Sequence, residues 1–92
     1  MLGKRIYSLR TAFGWNQVQL ADKLNISKQT VSNWENENIQ PSIEMLVRLS
    51  VLFHVSTDYL LGLDDTPTIN VEGLPLPFIA HLTQIIEDYK QK

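Results

Sequence analysis

The chain has 92 residues, of which 43% are hydrophobic and 20% are charged, and its formal net charge is −2. These values fit one small folded domain with room for a short appendage, and they exclude a chain that is disordered by composition. The absence of cysteine excludes disulfides and thiol chemistry, and no apolar run reaches the roughly 20 residues that cross a bilayer. With no signal-peptide layout at the N-terminus, we expect a soluble cytoplasmic protein.

The negative charge is concentrated near the C-terminus. Residues 1–60 have a net charge of +1, whereas residues 61–92 have a net charge of −3. A nucleic-acid-binding domain is expected to carry a basic patch. The near-neutral N-terminal part therefore permits nucleic-acid binding without requiring it.

A first helix is predicted over residues 1–13, and Gly14 would end it. Its apolar residues recur at helical spacing: Leu2, Ile6, Leu9, Ala12 and Phe13. Residues 16–34 then predict two short helices joined by a tight turn. Asn16 can cap the helix from Gln17 to Leu24, and Ser27 can cap the next. This spacing is typical of a helix-turn-helix.

The second helix of this pair has two different faces. Val31 and Trp34 lie on one side and predict packing against the core. The opposite side carries four polar residues with Lys28 at its flank: Gln29, Ser32, Asn33 and Asn36. Amide side chains can bond to the edge of adenine, and lysine can donate to guanine. A merely solvated face usually mixes Glu and Lys, so the amides favour base readout, although this pattern alone leaves both interpretations open.

The sequence resembles the Cro/lambda-repressor-like, xenobiotic-response-element-type helix-turn-helix family over residues 3–62. The matching positions are Gln17, Leu20-Ala21, Leu24, Ile26-Ser27, Thr30-Val31-Ser32, Trp34-Glu35-Asn36, Pro41-Ser42, Leu46, Leu49 and residues 58–62 (DYLLG). The resemblance implies an all-α, five-helix DNA-binding domain. Its recognition helix, which enters the major groove, would be Lys28 to Glu37.

With this helix in the groove, base contacts are expected from its outer face: Lys28, Gln29, Ser32 and Asn33. Phosphate contacts are expected from Asn16, Gln17, Thr30, Asn36 and Asn38. Gln17 lies in the first turn of its helix, where free N–H groups and the dipole attract a phosphate. Many relatives have Gly at position 37 followed by cations, but this chain has Glu37, Asn38, Ile39 and Gln40. That difference puts tight phosphate anchoring by this loop in doubt.

Arg10 and Glu35 form an expected structural pair. In the family, an arginine of helix 1 often pairs with a glutamate at this point of the recognition helix, and this chain has both residues. A forked, two-point contact would hold helix 3 against helix 1. The alternative is two unrelated surface charges.

Two more helices complete the expected domain. Pro41-Ser42 starts helix 4, which ends at His54 and carries a wide apolar face of Ile43, Leu46, Val47, Leu49 and Phe53. Ser56 caps helix 5 and Gly62 closes it. No cofactor or metal is expected, because the chain has no Cys and its two His residues are far apart in sequence.

The C-terminal third predicts a linker over residues 63–74 and an additional amphipathic helix within residues 75–92. The helix carries an apolar stripe of Phe78, Ile79, Leu82, Ile85, Ile86 and Tyr89. This stripe could dock on the domain or pair with a second copy. The five-helix domain of residues 1–62 looks complete without it, which favours a dimerisation helix.

The sequence as a whole favours a sequence-specific DNA-binding transcriptional regulator, a homodimeric repressor that binds an inverted-repeat operator in double-stranded DNA. The alternative is a protein-interaction or antitoxin-like module of the same fold, with the C-terminal helix binding another protein. No membrane partner is expected. An enzyme is disfavoured, because the sequence has no Cys, no acid pair in a plausible cleft, no glycine-rich phosphate loop and no metal-ligand cluster.

Overall fold

The computed structural model describes residues 2–91, which form six α-helices. They are α1 (Leu2–Ala12), α2 (Gln17–Leu24), α3 (Lys28–Glu35), α4 (Ile43–Phe53), α5 (Thr57–Leu61) and α6 (Leu76–Lys90). The predicted all-α class is thereby confirmed. None of these helices is long and apolar enough to cross a bilayer.

The starts of α2 to α5 follow from polar caps that the sequence predicts. The side-chain oxygens of Asn16, Ser27, Ser42 and Ser56 each accept a hydrogen bond from the backbone N–H three residues later, at 2.8 to 3.2 Å. Each cap satisfies one of the free donors of a helix start. At the start of α2 the capping is reciprocal, because the backbone N–H of Asn16 donates to the Gln19 side chain at 2.8 Å.

Several helix ends depend on the left-handed conformation. Asn25 ends α2 with φ 56°, and Gly62 ends α5 with φ 79°. His54 ends α4 in the same way, with φ 57°. Each of these residues provides the left-handed turn that closes its helix.

The recognition helix is shorter than predicted. It ends at Glu35, because Glu37 has φ 61° and cannot continue a right-handed helix. The N–H groups of Asn38 and Ile39 turn back to the carbonyl of Asn33, at 2.9 and 3.3 Å. The predicted boundary at Glu37 is thus wrong by two residues, which places Asn36 at the C-cap and Asn38 in the following loop.

The core is formed by the five N-terminal helices. Helix α3 packs on α1 and α2, while α5 packs on α1 and α4. The buried apolar residues are Leu2, Ile6, Leu20, Ala21, Leu24, Val31, Trp34, Leu49, Phe53 and Leu60. Trp15 joins α1 to α2 and stacks on Phe53 with ring centroids 5.8 Å apart. Burial of these side chains from every one of the five helices makes them one packing unit.

Helix α4 buries less of its apolar face than the sequence suggests. Leu49 and Phe53 are buried, but Ile43 is 82% exposed and Val47 is 48% exposed. These two residues and Val51 follow each other at four-residue spacing on a largely exposed side of α4, which borders a groove shared with the end of α2. The predicted wide apolar face is therefore only partly buried, since the core is narrower than the stripe.

Helix α6 stands apart from this core, and none of its residues is buried. The segment from Pro67 to Val71 lies along it, and together they line a groove of about 380 Å³. The segment is fixed to the domain by the Asn70 N–H, which donates to the His54 carbonyl at 3.1 Å. Just before this segment, the Asp65 carboxylate lies 3.3 Å from the Arg5 guanidinium and gives the linker a second contact with the domain.

Candidate nucleic-acid interface

Helix α3 is anchored by one face and presents the other. Val31 and Trp34 are 0% and 3% exposed, and they hold the helix on α1 and α2. The opposite face carries Gln29 and Asn36, which are exposed, and Ser32 and Asn33, which are half-buried. Lys28 is exposed in the first turn of the same helix. The geometry thus brings all the residues predicted for base contact onto one accessible surface.

The amides of this surface are ordered by hydrogen bonds along the helix. Gln29 Nε2 donates to Asn33 Oδ1 at 3.1 Å, and Asn36 Nδ2 donates to Ser32 Oγ at 3.3 Å. The first bond leaves Gln29 Oε1 as an acceptor and Asn33 Nδ2 as a donor. Adenine presents one donor, N6, and one acceptor, N7, in the major groove. The Gln29–Asn33 pair therefore has the complementary groups for that edge.

The residues predicted for phosphate contact lie around the starts of α2 and α3 and in the loop after α3. Asn16 caps α2, and the Thr30 hydroxyl lies 2.8 Å from the hydroxyl of the Ser27 cap. Asn36 and Asn38 are exposed at the other end of α3. The helix N-termini supply free N–H groups and the positive ends of two dipoles, which suit an anion.

Gln17, which the sequence predicts to contact a phosphate, has a partner within the domain. Its Nε2 donates to Glu35 Oε1 at 3.1 Å, and the residue is half-buried. An amide nitrogen carries two hydrogens. One of them is used in the bond to Glu35.

Arg10 and Glu35 lie together beneath this surface. Arg10 Nε donates to Glu35 Oε2 at 2.7 Å, and Nη2 donates to Oε1 at 3.0 Å. A third bond, 2.9 Å long, runs from Nη1 to the carbonyl of Trp15. The two side chains are only 9% and 6% exposed. The hydrogen bonds that Arg10 donates to Glu35 raise the pKa of the Arg10 guanidinium above its ordinary value, so Arg10 stays protonated.

The family model that matches the chain is that of the helix-turn-helix, over residues 6–60. The chain belongs to this Cro/C1-type family of transcriptional regulators. It is 39% identical over 87 residues to the HTH-type transcriptional regulator ImmR of Bacillus subtilis (strain 168). The aligned region covers 95% of this chain and 68% of ImmR. The resemblance seen in the sequence is therefore confirmed. Members of the family are DNA-binding regulators and not enzymes.

Two solved structures share the fold. A transcriptional regulator from Listeria innocua superposes with a TM-score of 0.64 at 26% identity, over 92% of this chain and 75% of that one. A chain of the SinR protein/SinI protein complex superposes with a TM-score of 0.63 at 24% identity, over 100% of both chains. At that identity the second likeness shows the fold alone, here with the C-terminal helix included.

Three contacts of this helix-turn-helix domain are not evident from the sequence. One is the bond from Gln17 to Glu35. Another is a 2.8 Å bond from Arg48 Nη2 to the carbonyl of Leu24, which satisfies the end of α2. The third joins the Gly3 N–H to the Glu37 carboxylate at 2.6 Å, across 34 residues. The sequence hints only at the third, because it has a glutamate at position 37, where many relatives have glycine, but it does not indicate the partner Gly3.

Proposed function

We propose that this regulator is a homodimeric repressor that recognises an inverted-repeat operator by inserting α3 into the major groove. The observation that carries the proposal is the ordered row of amides on the accessible face of α3. Lys28, Gln29, Ser32 and Asn33 would contact bases, because they share this face. Their short polar side chains can form directional bonds that discriminate between base pairs.

Phosphate contacts would set the position of α3 in the groove. We assign them to Asn16, Gln17, Thr30, Asn36 and Asn38, which lie at the two ends of α3 and at the start of α2. Contacts to phosphates fix the orientation of a protein on the duplex without reading its sequence. Because these groups are mainly amides, hydroxyls and helix N-termini, anchoring would depend less on cations than in a basic domain.

Dimerisation would use α6, with residues 1–62 as the DNA-binding domain, residues 63–74 as the linker and residues 75–92 as the dimerisation segment. The stripe consists of Phe78, Ile79, Leu82, Ile85, Ile86 and Tyr89. Phe78 is 49% exposed, Ile85 63% and Tyr89 76%. An isolated helix of 15 residues is marginal in water, and contiguous exposed apolar surface marks an interaction site. Both facts support a partner on this face.

Repression is the simplest consequence of such binding. A dimer that covers two half-sites excludes other proteins from the same DNA by its bulk alone. This activity requires only the DNA-binding face and the dimer face. We place the regulator in the cytoplasm because that is where the DNA of a bacterial-type repressor lies.

A second candidate function is a protein-interaction module in which α6 binds a different protein. It is favoured by the net charge of −3 over residues 61–92 and by the lack of cations in residues 36–40. In that case the same apolar stripe would be covered by a partner's surface instead of a second α6. The oligomeric state of the purified chain separates the two candidates.

Selection of bound sites from a random DNA pool tests the proposed function. We expect the enriched sequences to contain an inverted repeat with half-site centres about 34 Å, or one helical turn, apart. The same pool carried through without protein is the control. A pool that shows no enrichment contradicts sequence-specific binding, and enrichment of isolated half-sites contradicts the dimer.

A further inference from the structure

Glu37 makes an unusual connection between the loop after α3 and the start of α1. Its backbone is left-handed, with φ 61°. One carboxylate oxygen accepts the Gly3 N–H at 2.6 Å, and the other accepts a long bond of 3.5 Å from Gln40 Nε2. The chain therefore adopts a conformation that is unfavourable for a residue with a Cβ, at the place where a carboxylate reaches a helix N-terminus.

Glu37 provides a hydrogen-bond acceptor for the start of α1. The first N–H groups of a helix have no partner within it, and α1 has no acidic residue in its own first turn. A carboxylate at this end satisfies a donor and interacts favourably with the positive end of the dipole. The bond is charge-assisted, which makes it stronger than a neutral one.

The backbones of α1 and α3 are also in direct contact at this point. A Cβ added to Gly3 would collide with the carbonyl of Trp34, and it would lie 2.9 Å from the carbonyl of Glu35. These are carbonyls of the last turn of α3. The C-terminal end of α3 therefore rests on the N-terminal end of α1, and the Glu37 carboxylate joins the two.

We propose that Glu37 is a positioning residue for DNA recognition, which fixes the place of the C-terminal end of α3 and of the loop behind it. This inference rests on the proposed reading of DNA by α3. The Arg10–Glu35 pair holds α3 at one point of α1, and Gly3–Glu37 holds it at another. Gly3 and Arg10 are separated by about 10 Å along α1 at 1.5 Å per residue. On the α3 side both attachments lie at the C-terminal end, at Glu35 and at Glu37 in the following loop, so together they fix where that end and the loop sit on α1.

The contact between Glu37 and the start of α1 also reduces the repulsion between this carboxylate and DNA phosphates. Glu37 lies between Asn36 and Asn38, both of which are assigned to phosphates. A free carboxylate there would repel the phosphate backbone. Because the carboxylate faces the positive end of α1, its charge is offset within the protein.

Two substitutions separate positioning from charge. Glu37→Gly removes the carboxylate but keeps the backbone conformation, since glycine adopts positive φ without steric cost. Glu37→Gln removes only the charge, because its amide oxygen can still accept the Gly3 N–H. Both variants lose the same formal charge, so a difference between them reports the bond and not the electrostatics.

The test measures affinity for the selected DNA site and for a scrambled site, together with hydrogen exchange of the Gly3 amide. For Glu37→Gly we expect faster exchange at Gly3. We also expect a ratio of selected to scrambled affinity lower by about tenfold, which lies within the range that substitutions outside a binding site produce. For Glu37→Gln we expect the ratio to stay near that of the wild type, while affinity for both DNAs rises slightly.

The outcomes distinguish this proposal from the function on which it rests. A wild-type ratio of one overturns the proposed base reading and the positioning role together. A wild-type preference that survives Glu37→Gly unchanged overturns the positioning role alone. The positioning role is also overturned if Glu37→Gly changes the affinity for each DNA site by the same factor as Glu37→Gln. Glu37 would then act only through its charge.

Discussion

Replacing Arg10 with Met is expected to lower the free energy of unfolding by about 3–5 kcal/mol, the usual cost of removing one partner from a buried ion pair. The Glu35 side chain is only 6% exposed. Without Arg10, its carboxylate would keep only the bond from Gln17, and the Trp15 carbonyl would lose its donor as well. Urea unfolding of the two proteins measures the difference.

The matched control is Arg5→Met, which removes a second arginine from the same helix. Arg5 pairs with Asp65, whose side chain is 92% exposed. Water can solvate that carboxylate once the arginine is lost, so the change in stability is expected to be much smaller. The two variants have the same change of residue and of charge. Arg10 also bonds the Trp15 carbonyl and Arg5 also lies over the Tyr59 ring, so their difference reports burial of the pair together with these contacts.

A double-mutant cycle completes this test. Arg10→Met combined with Glu35→Leu leaves no buried charge, and we expect it to recover much of the stability lost in Arg10→Met. A coupling indistinguishable from zero would contradict a buried pair. So would a cost for Arg10→Met below about 1 kcal/mol, because that range is typical of exposed pairs.

Introducing aspartate at Ile79 and Ile86 is expected to convert the regulator to a folded monomer. Both side chains belong to the stripe of α6 and to the groove that it forms with the linker. Two buried charges would prevent that stripe from pairing. The core of α1 to α5 should remain folded, because it buries no residue of α6.

The loss of the dimer should appear as a large loss of operator affinity. Two linked half-sites bind about 10²- to 10⁴-fold more tightly than either alone, because the second contact becomes intramolecular. Sedimentation gives the oligomeric state, and titration of the selected DNA gives the affinity. The matched control is Ala80→Asp with Gln84→Asp, which adds two aspartates to the opposite side of α6.

Two results would contradict this use of α6. One is a wild-type chain that sediments as a monomer at high micromolar concentration. The other is a control variant that loses the dimer as completely as the variant at Ile79 and Ile86, since the effect would then come from charge in general. A monomeric wild type would favour the second candidate function, in which α6 binds another protein.

The parts of the fold that sequence predicts are those set by local chemistry. Caps such as Ser27 and Ser42 act within three residues of themselves, so their role is visible in the sequence. The left-handed Asn25 is predictable for the same reason. The two faces of α3 follow from helical periodicity alone, because Val31 and Trp34 repeat at the spacing of one turn.

The parts that sequence does not predict depend on contacts between distant segments. The family resemblance places the end of the recognition helix at Glu37, and nothing in the neighbouring sequence demands that this glutamate turn left-handed. The partner that its carboxylate reaches, Gly3, is 34 residues away. Likewise, periodicity marks Ile43 and Val47 as apolar but does not show that the core ends before it reaches them. Gln17 illustrates a third case, since its position in the first turn of α2 does not show that its side chain bonds to Glu35, 18 residues away.

The amide face of α3 is proposed to read bases. The most direct test is to measure the affinities of Gln29→Ala and Asn33→Ala for selected and for scrambled DNA. Each substitution is expected to cost about 1–3 kcal/mol at the selected site and to relax the preference at one base pair, while binding to scrambled DNA stays nearly unchanged. If both variants keep the wild-type ratio of the two affinities, α3 does not read the sequence and the account is contradicted.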